Sequence, residues 1–219
     1  MSDRSHPAPG PARRRPVQQR SLERYGRILD ACAGLLDEVG ANALTTKEVA
    51  HRAQVPIGTL YQFFAGKEDL LAALATRNLD HYLQRLDARL AGAAPVGPAV
   101  FTDLAVEEFV AMKRAVPGFG QLDFGLAGQT VPAGVRDDRH LLDAGVDNNT
   151  AVALRLQALG GELFRAGDAT ATLTLRVALE AADAVLKLAF REAPDGDPAL
   201  IAECKRLVRG YLAQQLSAR

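Results

Sequence analysis

The run Thr45-Thr46-Lys47-Glu48-Val49-Ala50, then Ala53-Gln54-Val55-Pro56, then Ile57-Gly58-Thr59-Leu60-Tyr61-Gln62-Phe63-Phe64 encodes two short helices and the turn between them. Thr45 and Glu48 stand at the spacing of a capping box, in which the threonine oxygen accepts from the backbone N–H three residues on. Val49, Ala50 and Ala53 give the helix so started a short apolar face. It stops at Gln54-Val55-Pro56, because proline has no N–H to donate and pushes the residue before it out of α geometry. Ile57 to Phe64 form the second helix, which ends at Ala65-Gly66. Val49, Ala50, Val55, Leu60 and Phe64 have the spacing to close one small shared core.

Long helices flank this pair. Leu22, Tyr25, Ile28, Leu29, Cys32, Leu35, Leu36 and Val39 recur at three- and four-residue steps, one apolar face of a helix over residues 20–39. Gly40 follows, where a left-handed residue commonly closes a helix. Leu70, Leu71, Leu74, Leu79, Tyr82, Leu83, Leu86 and Leu90 carry another helix from Lys67 to residue 91. Beyond the Gly/Pro/Ala linker that ends at Pro98, periodicity predicts helices over 98–115, 138–165, 169–192 and 197–217. The stretch Pro117 to Gly134 holds five glycines and two prolines. It predicts loop, with one turn of helix around Leu122–Leu126. No apolar alternation of period two survives anywhere, so the fold class is all-α. The chain divides into a flexible basic tail (1–19), a three-helix unit (20–66) and a larger helical domain (67–219).

Two short helices around a tight turn, set between longer ones, have the layout of a helix-turn-helix module. The first must pack rigidly so that the second can enter a major groove about 12 Å wide. Gly58 and Thr59 keep the leading edge of that second helix thin. Together with Gly66-Lys67-Glu68-Asp69-Leu70, the run resembles the signature of the tetracycline-repressor (TetR) family over residues 20–75, and the remainder resembles it in helical layout. The resemblance implies a DNA-binding transcriptional repressor acting as a homodimer on a palindromic double-stranded operator. It implies that Thr46 and Lys47 reach phosphate or the groove edge, and that Ile57, Gly58, Thr59 and Gln62 face bases. A glutamine can pair bidentately with adenine, and a threonine methyl can pack on that of thymine. Tyr61 matches the family tyrosine that touches the sugar-phosphate backbone. Lys67 opens a helix whose N-terminal N–H groups can hold a phosphate with it. Two positions depart from the pattern: Pro56 stands where a capping serine is frequent, and Phe63 where histidine or tyrosine is.

Charge and composition narrow the function classes. The net charge is zero, yet residues 1–90 carry 13 basic and 10 acidic side chains and the remainder 13 and 16. A basic front and an acidic back is the asymmetry of a chain whose front alone meets an anion. Arg13, Arg14 and Arg15 suit an inert leader or a minor-groove arm. With 48% hydrophobic and 24% charged residues the chain is an ordinary globular one. No apolar run approaches the roughly 20 residues of a membrane span. The arginines before Pro16 are followed by no apolar segment, which excludes a signal peptide and predicts a cytoplasmic protein. Cys32 and Cys204 lie far apart, His51 and His81 stand singly, and neither pair has metal-ligand spacing. Residues 98–217 contain one serine, Ser217, and no phosphate-cradling loop. No catalytic residue, metal or cofactor is expected.

The larger domain is read as sensor and dimer interface. Leu175, Leu179, Ala182, Leu186 and Ala189 form one stripe, and Leu200, Cys204, Leu207, Val208, Tyr211 and Leu212 another. Paired with their copies, the last two helices can make a four-helix bundle, as in TetR relatives; the alternative is that both stripes serve the internal core. Phe101, Phe109 and Met112 on the fifth helix, and Phe119 and Phe124 in the glycine-rich stretch, suit an apolar or aromatic small-molecule effector. Asn149 and Asp183 interrupt apolar stripes, and a buried polar group needs a partner that such a molecule can supply. Two other functions fit the same sequence: a TetR-like activator or architectural protein without an effector, and an all-α enzyme on this fold.

Overall fold

The computed structural model describes residues 14–93, 95–124, 142–143, 145–165 and 168–217. The chain folds as eight α-helices over these residues: α1 (Arg14–Ala43), α2 (Thr46–Arg52), α3 (Ile57–Phe63), α4 (Lys67–Ala91), α5 (Pro98–Ala115), α6 (Asn148–Gly160), α7 (Ala169–Glu192) and α8 (Pro198–Ser217), with a 3₁₀ turn Gly161–Phe164 after α6. No strand occurs among the described residues, in keeping with the all-α expectation.

α1 starts six residues before the expected position. Residues 14–19 therefore belong to it and not to a flexible tail. Pro16 lies in its first turn, where a missing N–H is costless because those groups have no partner inside the helix. Residues 1–13 of the expected tail, Arg13 included, lie outside the described residues. Gly40 does take a left-handed conformation, with φ 73°, and one further helical turn follows it. The predicted apolar face is buried in its middle, at Ile28, Leu29, Cys32 and Leu36, while Leu22 and Val39 at its ends are exposed. α2 and α4 cover only the central turns.

Capping explains the boundaries of α2. The Thr45 oxygen accepts from the Glu48 backbone N–H at 3.2 Å, and its hydroxyl donates to the Glu48 carboxylate at 2.7 Å. The return arm of the box thus runs hydroxyl to carboxylate. Gln54 takes a left-handed conformation (φ 55°), with Val55 N donating to Ala50 O at 3.0 Å. Pro56 offers α3 no side-chain cap; its carbonyl accepts from Thr59 N and Leu60 N instead.

α4 belongs to two cores. Leu70, Leu71, Leu74 and Ala75 pack with α1–α3, whereas Leu79, Tyr82, Leu83 and Leu86 pack with α5–α8. Its second half is tied to α5 by Glu108, only 4% exposed, which faces Arg85 at 2.5 Å and Arg89 at 3.6 Å. Buried carboxylates persist only when paired in this way.

Three expectations for the larger domain need correction. α6 begins at Asn148, ten residues after the predicted 138, because Asp147 caps it, accepting from Thr150 N at 3.0 Å. After α5 the chain turns at Pro117–Gln121, before the expected Leu122–Leu126; residues 125–141 lie outside the described residues. The α7 stripe Leu175, Leu186, Ala189 is buried within the protomer. The large apolar residues exposed on these helices are Leu173 and Val177 on α7 and, from the expected α8 stripe, Leu207.

Candidate DNA interface and ligand cavity

Leu60 fixes α3 in place: it is fully buried, and Val49, Ala50, Val55 and Phe64 close around it in the same core. Its outward residues follow from that anchor. Gly58, Tyr61 and Gln62 are exposed and, at spacings of three and four, share one face. Ile57 at the start of the helix is 41% exposed, and Thr59 is half-buried. A Cβ built at Gly58 would meet nothing within 4 Å, so the fold leaves open space where that side chain would stand.

The two short helices are joined at their exposed ends. Thr46 Oγ1 lies 3.1 Å from the Tyr61 hydroxyl, which brings two of the expected contact residues together. Lys47 is exposed beside them. Lys67 is half-buried, and its ammonium donates to the Asn42 carbonyl at 3.2 Å. That tie to the last turn of α1 was not legible from the lysine's position at a helix start. Phe63 packs edge-on against Tyr25 (5.9 Å between centroids), which itself stacks on Phe64. Position 63 therefore carries a half-buried ring packed toward α1.

A cavity of about 610 Å³ lies among α4–α8. Five of the seven expected ligand residues line it: Phe101, Phe109, Phe124, Asn149 and Asp183. Met112 and Phe119 do not. Both are fully buried, and Phe119 packs edge-on against Phe109 and Phe124, one layer behind the wall. Val152, Leu156, Leu175 and Leu186 complete an apolar interior, and Tyr82 brings α4 into the wall.

One end of the cavity is charged. Asp123, buried, faces Lys113 at 3.7 Å, and Lys113 lies over the rings of Phe109 and Phe190. Burial pushes the Asp123 carboxyl above its usual range, against the pull of the Lys113 ammonium and the Phe124 N–H. Lys187 donates to Asp183 at 2.6 Å. Burial alone would lower the Lys187 ammonium, but this hydrogen bond and the Asp183 charge outweigh it and raise the group. Sequence reading missed Asp123, Lys113 and Lys187, since their meeting depends on three separate segments.

Cys32 and Cys204 are both buried, and burial pushes their thiols up to about 12 and about 11. Such thiols are inert core groups. No group of ligating side chains suited to a metal occurs among the described residues.

Residues 97–216 match the model of the tetracyclin repressor-like C-terminal domain, and residues 28–74 that of the tetR family of bacterial regulatory proteins. The chain belongs to the TetR family. A solved TetR-family transcriptional regulator from Streptomyces coelicolor is 43% identical, covers 87% of this chain and 98% of its own, and superposes with a TM-score of 0.74. The repressor KstR of Mycolicibacterium smegmatis is 39% identical over 74 residues, 33% of this chain and 36% of KstR. This chain thus spans about a third of the length of such relatives. FadR from Bacillus subtilis, solved with stearoyl-CoA, shares the fold at 17% identity and a TM-score of 0.58, covering 89% of this chain and 99% of its own. The family is one of transcriptional regulators, not enzymes. On the TetR frame, residues 28–74 hold half of α1, all of α2 and α3 and the start of α4, and residues 97–216 hold nearly all of α5–α8 and most of the cavity wall.

Proposed function

We propose that this TetR-family chain is a cytoplasmic homodimeric repressor, which grips a palindromic operator through α2 and α3 and releases it when an apolar or aromatic small molecule enters the cavity. The observation that carries this reading is α4. A single helix runs from Lys67 beside the DNA-facing helices to Tyr82 in the cavity wall. The effector must favour the DNA-incompetent geometry, since a molecule with equal affinity for both states shifts nothing. The cavity volume falls in the range of small-molecule sites, roughly 300–1,000 Å³. Its four aromatic side chains favour a ligand with an apolar body, and Asn149 offers a hydrogen-bonding group to a polar end.

Two-fold binding is supported by the exposed Leu173, Val177 and Leu207 and by Gly210, which is exposed on α8 with open space around it. Small residues on such a face allow close helix approach. Operator half-sites about 34–36 Å apart then match a two-fold dimer. Selecting bound sequences from a random DNA pool tests the reading. A palindrome is expected, and recovery of no preferred sequence at low salt would overturn it.

Individual contacts are separable by salt and by sequence. Lys67→Ala is expected to weaken binding across all sequences and to shallow the plot of log affinity against log salt by about one unit. An unchanged slope would leave Lys67 as a tie to Asn42 only. Tyr61→Phe, which removes the hydroxyl bonded to Thr46, should likewise weaken binding without changing base preference. Gln62→Ala should relax preference at one position of each half-site, by about 1–3 kcal/mol.

A further inference from the structure

Between α5 and the segment outside the described residues, the chain Val116–Phe124 touches three parts of the molecule at once. Its end is in the cavity: Asp123 and Phe124 line it. Leu122, one residue earlier, is fully buried in the other core, the one built by α1–α3 and the first turns of α4. The Leu122 carbonyl accepts from Asn78 Nδ2 at 2.7 Å, and Asn78 is only 2% exposed at the middle of α4. Gly118, at the start, rests on α1. A Cβ there would lie 2.8 Å from Ala33 Cα and 2.9 Å from Ala33 O, and φ at this glycine is 76°. Gly118 N–H donates to Asp37 Oδ2 of α1 at 2.8 Å.

We propose that this turn is the link through which cavity occupancy is read at the DNA-binding helices, with Gly118 and Asn78 as positioning residues. The inference rests on the cavity being the control site. A molecule pressing on Phe124 moves a backbone that cannot yield alone. Asn78 and Leu122 are both buried, so breaking their hydrogen bond leaves two unpaired groups. Gly118 sits too close to Ala33 for the turn to shift toward α1 without displacing that helix. Packed interiors pass such displacement on because they hold few voids. The turn therefore addresses α1 and α4 together, the two helices that frame α2 and α3.

The chain contains no tryptophan, so one indole can both fill the cavity and report on it. Ala178→Trp and Ala105→Trp each place the ring at a lining position. Operator DNA recovered by the random-pool selection is titrated against each variant, alone and combined with Asn78→Ala or with Gly118→Ala. A blue-shifted emission and a cooperative melt verify that the indole is buried in a folded protein. Filling the cavity is expected to weaken operator binding about tenfold or more. In the Asn78→Ala or Gly118→Ala background the same filling should change affinity by less than about threefold, since coupled residues fail to add. Full weakening that persists in both backgrounds overturns the link while leaving the cavity as the control site. Absence of weakening in both tryptophan variants overturns the control-site reading itself, and the link with it.

Discussion

Leu60→Ala is expected to cost about 3 kcal/mol of stability, in the range found for buried leucines, and to reduce operator affinity by about a hundredfold. The reason is how little else holds α3. It is seven residues long, and Leu60 is its fully buried side chain. A helix this short does not persist on its own propensity, because nucleation is unfavourable and packing supplies most of its stability. Beyond backbone bonds at its ends, only the half-buried Phe63 ring, edge-on to Tyr25, and the water-exposed Thr46–Tyr61 hydroxyl contact add to its hold. Loss of the Leu60 side chain therefore loosens α3 before it unfolds the remainder, as local opening free energies differ across one structure. Energy lost from docking α3 reappears as operator affinity, at a factor of ten for each 1.4 kcal/mol or so. Thermal melting and operator titration check the two parts. An affinity within about threefold of the parent, despite a lowered melting temperature, would show that α3 is not the element that must be ordered to bind.

Tyr61→Phe is the useful contrast. It removes a hydroxyl from a residue already 52% exposed, so stability should barely change while phosphate binding weakens. The two variants separate a residue that holds the reading helix from one that this helix presents.

How far the sequence foretold this arrangement depended on whether the signal was local. Thr45 and Glu48 mark the start of α2 because a cap involves neighbours in the chain. In the structure Pro98 and Pro198 open α5 and α8, where a missing N–H costs nothing. The start of α6 is equally local, in Asp147 and Thr150, but Leu142 and Val146, in line with Val152, Leu156 and Leu159, suggest a longer helix than the cap permits. The cavity was legible in part. Phe101, Phe109 and Phe124 belong to it, whereas Met112 and Phe119 share their apolar chemistry and are buried elsewhere, Phe119 behind the rings of Phe109 and Phe124. Hydrophobicity predicts burial and is silent on which side of a wall a ring occupies. The charged end, built from Lys113, Asp123, Asp183 and Lys187, has no sequence pattern at all, because α5, the turn after it and α7 meet only in three dimensions.

The same limit applies to the α7 face of the proposed dimer, and it sets the second large prediction. α7 carries apolar residues on two sides, and periodicity alone gives no reason to prefer one. Leu175 and Leu186 are buried inside the protomer, so in the proposed dimer the partner is met by Leu173 and Val177, which are 58% and 43% exposed, together with Leu207 at 48%. Val177→Glu combined with Leu207→Glu is accordingly expected to give a folded monomer, with an unchanged far-ultraviolet helical signal. Each carboxylate would have to be buried against its copy, and unpaired charges are costly to desolvate. Operator affinity should fall on the order of 100- to 10,000-fold, because the second DNA head loses the effective concentration that a dimer provides. Leu175→Glu distinguishes the two faces. It should disrupt the protomer itself, since the charge would enter a core where Leu175 is only 3% exposed. Sedimentation velocity and operator titration read both variants. A double variant that remained dimeric with full affinity would move the interface off this face, whereas a folded Leu175→Glu monomer would return it to the inward stripe.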